Sequence, residues 1–204
     1  MSLRVGIKIS QRSNPSAICV TDSEDRPFRD TKRQERHLLV RHLERLPAGT
    51  PFPDIADRVE QVVEQLAERS DTSPTLFLDA TGLGQPIVDL VKQRLERGKL
   101  VSVFFTFGDR RSQEGTVITL GKAFLVAELQ TLLQTHRLHL PETPQARTLA
   151  ADLLDYEIRL EPDANERYGA FSVGHQDDLV TALGLAVQTW KAPGRTIRGT
   201  HWNW

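Results

Sequence analysis

The chain has 204 residues, 39% hydrophobic and 26% charged, the balance of a soluble globular protein with enough length for one large domain and a core that needs no staples. A formal net charge of −1 gives no global signal for nucleic acid, although a basic face balanced by an acidic site would give the same sum. A single cysteine, Cys19, excludes an intramolecular disulfide, and its apolar surroundings predict a buried, reduced thiol. No stretch is long and apolar enough to span a membrane, and the opening residues lack the apolar region of a signal peptide, so the cytoplasm is the expected location.

Leu3 to Ile9 alternates and predicts a strand, and after a polar turn Ala17 to Thr21 predicts a second that pairs with it as a hairpin. Asp22 to Pro27 has turn composition. Arg36 to Arg45 fits a strand or a short helix, and the turn residues on both sides favour the strand. Ile55, Val59, Val62, Val63 and Leu66 form a helical stripe over Pro53 to Arg69. Thr75 to Asp79 is a compact apolar strand, Ala80 to Gly84 a turn, Pro86 to Arg97 a helix and Leu100 to Phe107 another strand. This alternation predicts parallel crossover units on a mixed sheet, an α/β architecture. Gly108 to Gly115 reads as a charged loop and Thr116 to Leu120 as a returning strand. Ala123 to Gln134 and Pro144 to Asp155 read as helices, Leu138 to Leu140 as a short strand, and Tyr156 to Leu160 and Tyr168 to Ser172 as strands around a polar turn.

Asp177 and Asp178 head a segment, Gly174 to Trp190, in which Leu179, Leu183, Ala186 and Trp190 recur at helical spacing. Carboxylates there fit simple capping and the helix dipole; a chemical role needs further acids at the same place. Asp79 is a candidate, because it ends a buried-looking strand, the usual position of a functional residue in an α/β sheet. The turn Thr81-Gly-Leu-Gly84 suggests a phosphate loop only weakly. It has no third glycine at Ile87 and no Walker lysine nearby, so a tight strand-to-helix turn is preferred to a nucleotide-binding module. His37, His42, His136 and His139 have no metal-ligand spacing with a cysteine, which argues against zinc.

Four segments spread over nearly the whole length carry a resemblance. They are the first hairpin, Val5 to Gln11 and Ser16 to Val20; Arg41 to Pro53; Leu78-Asp-Ala-Thr-Gly-Leu-Gly84; and Tyr168 to Phe171 with Asp177-Asp-Leu-Val-Thr-Ala-Leu183. In them the chain resembles the nuclease domain of phage terminase large subunits, an RNase H-like (retroviral integrase) superfamily fold. The resemblance implies a mixed central sheet flanked by helices on both faces over residues 1–191, followed by a basic tail, 192–204, with Arg195, Arg198, Trp202 and Trp204. It implies a hydrolase: a metal-dependent endonuclease that cleaves double-stranded phage DNA during genome packaging. Such cleavage uses two Mg²⁺ or Mn²⁺ ions roughly 3.5–4 Å apart, and hard cations take carboxylate oxygens. By the same resemblance Asp79 and Asp178 bind metal, Asp177 binds or supports it, and Arg12, Arg110, Arg111 and Lys122 approach DNA. His175, beside Gln176, stands where a water could be oriented, although a surface histidine is the simpler reading. No Walker A sequence occurs, so a separate packaging ATPase, portal or small terminase subunit is an expected partner, in the host cytoplasm if phage or prophage encoded.

The first strand departs from the family pattern. Gly-x-Asp-x-Gly is usual there, and this chain reads Gly6-Ile-Lys-Ile-Ser10. Lys8 thus stands where the metal-bridging carboxylate is expected, and its ammonium would pair with the remaining acids and weaken metal binding and hydrolysis. Two readings follow: an impaired endonuclease, or a catalytically silent relative that binds DNA or a packaging partner. The other possibility is that Lys8 points away and Asp22 or Glu24 substitutes.

Overall fold

A computed structural model describes residues 2–10, 14–29, 32–70, 72–154, 156–160, 166–170 and 177–191. Arg12, His175, Gln176 and the tail from 192 lie outside the described residues. The elements run β1 (Arg4–Lys8), β2 (Ser16–Pro27), β3 (Gln34–Leu46), α1 (Phe52–Arg69), β4 (Thr75–Asp79), α2 (Gln85–Arg94), β5 (Lys99–Thr106), β6 (Arg111–Glu114), β7 (Val117–Gly121), α3 (Lys122–Gln134), β8 (Leu138–His139), α4 (Pro144–Leu154), β9 (Tyr156–Leu160), β10 (Glu166–Ala170) and α5 (Asp178–Ala186). Eight strands form one mixed sheet in the order β6-β7-β5-β4-β1-β2-β3-β8, and β9 pairs with β10 as a separate ribbon.

Both faces of the sheet are covered. α1 and α2 pack with Val5, Ile7, Ile18, Val20, Leu76 and Leu78 on one side. α3, α4 and α5 pack with Ala17, Cys19, Phe77, Val101 and Val103 on the other. This double burial explains why β4 is a continuous apolar run. α5 is buried all round, as a helix apolar on every side must be. It lies directly on β1 at Gly6, where a Cβ would sit 2.0 Å from the Ala182 carbonyl oxygen. Cys19 is fully buried, and burial pushes its thiol pKa well up.

Four expectations need correction. Asp22 to Pro27 is strand, because its backbone pairs residue for residue with β3 out to Gln34 and ladder bonding overrides turn composition. Arg111–Glu114, expected in a loop, is the edge strand β6, antiparallel to β7, whereas β7 runs parallel to β5. α2 stops at Arg94, short of Arg97. α5 ends at Ala186, so Trp190 leaves the helical stripe; its indole donates to the Gly115 carbonyl and lies under the Lys99 ammonium, 3.6 Å from the ring centre.

Candidate functional site

The site follows from strand register. β1 pairs in parallel with β4 from Arg4–Thr75 to Ile7–Leu78, which makes Lys8 and Asp79 the next neighbours. On the other side Lys8 pairs with Ala17 of β2, and Ala17 with Arg45 of β3. Asp79, Lys8, Ala17 and Arg45 therefore form one row across four strands on the face under α5. The row lies at the carboxyl edge of β1, β4 and β3, where α5 begins. A site at the carboxyl edge of strands is the general rule for open α/β sheets.

The two cations of this row pair with three acids, Asp79 in the row and Asp152 and Asp178 on the helices above it. The Lys8 ammonium donates to Asp79 Oδ2 at 2.6 Å, and Asp79 Oδ1 accepts from the Thr81 amide at 2.9 Å. Arg45 holds Asp178 in a fork, from Nε to Oδ2 at 2.7 Å and from Nη2 to Oδ1 at 2.9 Å. The same Nη2 reaches Asp152 of α4 at 3.2 Å. A bidentate guanidinium–carboxylate pair of this kind is among the stronger charge-assisted contacts. Burial raises the Asp178 carboxyl pKa above the ordinary range, while the Arg45 hydrogen bonds pull it back.

Exposure separates the two signs. The Asp79 side chain is 1% exposed and those of Asp152 and Asp178 3%, against 23% for Lys8 and 31% for Arg45. Asp177 sits half-buried at the N-cap of α5, where its backbone carbonyl accepts from the Thr181 amide while its side chain makes no capping bond.

The carboxylates do not fit a divalent ion as they stand. Both oxygens of Asp79 and both of Asp178 already accept hydrogen bonds. Among the described residues no group of three or more His, Cys, Asp or Glu side chains is placed to hold a metal. Neither Asp22 nor Glu24 substitutes for the missing acid. Asp22 lies five residues along β2 from Ala17, about 17 Å away at strand rise, and pairs with Arg41 at 3.6 Å, while Glu24 pairs with Arg26.

The basic residues expected near DNA are distributed unequally. Lys122 opens α3 at the carboxyl edge of β7, with its ammonium 5.9 Å from the Phe105 ring centre. Arg110 is exposed, and its carbonyl accepts from the Gly121 amide at that edge. The Arg111 guanidinium turns to Gln188 and the Thr189 carbonyl beyond the end of α5. The turn after β4 is conformational: Gly82 and Gly84 have φ of 76° and 65°, and the Thr81 hydroxyl accepts from the Phe105 amide. Pairing of β3 with β8 brings His37 and His139, distant in sequence, to 2.9 Å.

Sequence reasoning missed Arg45 and Asp152. Each carried a signal. Arg45 shares the inward parity of Leu43 on β3, and Asp152 shares the buried face of α4 with Ala146 and Leu149. A charge on an apolar face needs a partner.

The fold, a mixed sheet covered by helices on both faces, is similar to that of solved large terminase nuclease domains. The large terminase nuclease from thermophilic phage G20c superposes with a TM-score of 0.63 at 18% identity, over 91% of this chain and 80% of that one. The human cytomegalovirus terminase nuclease domain, soaked with Mn, gives 0.57 at 8% identity over 90% and 80%. The large terminase nuclease domain of bacteriophage SPP1, with bound Mn, gives 0.50 at 11% identity over 91% and 85%. The G20c nuclease has also been solved with bound magnesium. No protein-family model and no curated protein matches the sequence. Among the described residues no helix is long and apolar enough to cross a membrane.

Proposed function

We propose that this chain is a terminase-type nuclease domain that engages double-stranded phage DNA during genome packaging, with metal-dependent phosphodiester hydrolysis impaired at its centre. The observation that carries this reading is the 2.6 Å contact between the Lys8 ammonium and Asp79, a carboxylate 1% exposed at the strand end where the sequence resemblance leads us to expect a metal site. A fixed cation there takes the charge and volume that a divalent ion would need. Hydrolysis in such folds rests on metal-held carboxylates, so the chain is a DNA-engaging module first and an enzyme weakly or not at all. The shared location of Lys8, Lys122 and Arg110 at the carboxyl edge supports DNA engagement.

Lys8→Asp tests the impairment. Mn²⁺-dependent plasmid cleavage by the variant is expected to exceed that of the parent by about tenfold or more, the scale of loss when a group around a metal site is altered. Equal rates for parent and variant would show that Lys8 is not what limits the chemistry.

A further inference from the structure

The hydrogen-bond inventory of the centre points beyond lost metal binding. Each oxygen of Asp79 and of Asp178 is engaged by a donor, and the cations have donors left over. An ammonium carries three N–H donors and a guanidinium five. Of these, Lys8 directs one to Asp79, and Arg45 uses Nε and Nη2 on Asp178 and Asp152. Among the described residues nothing takes the Nη1 donors of Arg45 or the other two protons of Lys8. These are also the partly exposed groups, at 31% and 23%, while the acids beneath are all but covered. A visiting molecule therefore meets these donors before the oxygens of Asp79, Asp152 and Asp178, with the half-buried Asp177 next along the chain.

We infer that Lys8 and Arg45 form a metal-independent phosphate clasp that contacts the DNA backbone directly. The two residues flank Ala17 and stand two strands apart, about 10 Å between backbones at sheet spacing. Long side chains from such positions can converge on the oxygens of one phosphodiester or bracket two neighbouring ones. Asp79, Asp178 and Asp152 hold the cations in place, which keeps most of their ordering cost out of the binding step. This inference rests on the DNA-engaging reading above and gives it a contact and a condition: binding should ignore chelators.

The test is fluorescence anisotropy of a labelled DNA duplex with the full chain, in EDTA and in Mn²⁺, across a salt series. At matched ionic strength the clasp predicts the same Kd within about twofold in the two buffers, because no divalent ion takes part in the contact, while release of the DNA's condensed counterions gives the salt slope. Lys8→Gln should weaken binding about tenfold and reduce the slope of log K against log salt by about one, the loss of one phosphate contact. Lys8→Arg should restore most of the affinity. A thermal melt of each variant, matched to the parent, separates lost contact from lost fold. Binding at least tenfold tighter in Mn²⁺, or a Lys8→Gln variant with unchanged affinity and slope, overturns the clasp while leaving DNA engagement intact. A parent chain that binds no duplex in either buffer overturns the proposed function itself.

Discussion

The two ends of α5 both carry buried charge, and they differ in how far their cations reach solvent: Arg4 is 5% exposed, Lys8 23% and Arg45 31%. At its start, Asp178 and its neighbours are covered while Arg45 and Lys8, which pair with them, are partly exposed. At its far end, Arg4 is buried and donates to the Val187 carbonyl, Thr21 donates to the Ala186 carbonyl, and Arg111 closes on Thr189. There Glu128 accepts from Gln188, which itself donates to the Gly184 carbonyl. The donors of the far end are turned to helix carbonyls that would otherwise lack partners, and cations at a helix C-terminus suit its dipole. The lesson is that a buried charge cluster is not a site by virtue of its charges. One end is a covered fastening; the other leaves its cations partly open.

Three substitutions sharpen or break this contrast. Arg45→Ala should have the largest effect, because it leaves the Asp178 carboxylate buried without its cation; breaking such a pair costs about 3–5 kcal/mol, read by urea denaturation. A loss below about 1 kcal/mol would mean that the fork with Asp178 contributes little to the fold. At the fastening end, Arg4→Met should cost about 1–3 kcal/mol, the price of an unpaired Val187 carbonyl, yet leave duplex affinity unchanged. If it weakens DNA binding as much as Lys8→Gln, the two ends do not divide the labour as described. The smallest effect concerns pH. Burial raises the Glu128 carboxyl pKa despite its bond from Gln188. A carboxyl that holds its proton more tightly folded than unfolded gives its full stability below the unfolded pKa and loses it as pH rises through the folded one. Glu128→Gln should therefore remove part of the decline in melting temperature above pH 4.5 and leave the parent slightly less stable than the variant at neutral pH.

What could be read in advance follows the range of the interactions. Thr75–Asp79 and Phe52–Arg69 were legible because their apolar pattern is local and strong. The pairing of Lys8 with Asp79 was legible through a motif, since both positions are marked in the family pattern. Asp22–Pro27 and Arg111–Glu114 were not, because their polar composition suits turns and only the partner strand makes them strands. Arg45 and Asp152 escaped because their meaning lies in contacts between residues 133 and 107 positions apart. Parity on β3 and α4 shows that each faces inward, but not which acid or cation it meets.

Gly6 adds a consequence of another kind. With no side chain beneath it, α5 rests on the β1 backbone, and any Cβ at Gly6 would strike the Ala182 carbonyl. Two residues further along the same strand stands Lys8, whose partner Asp79 belongs to the neighbouring strand rather than to the helix. The contact that seats the helix and the side chain that pairs with Asp79 are thus separate units of inheritance on one short strand. Exchange at Lys8 would spare the seat of the helix yet leave the buried Asp79 carboxylate without its cation, so that position carries a cost of its own, set by the partner strand and not by α5.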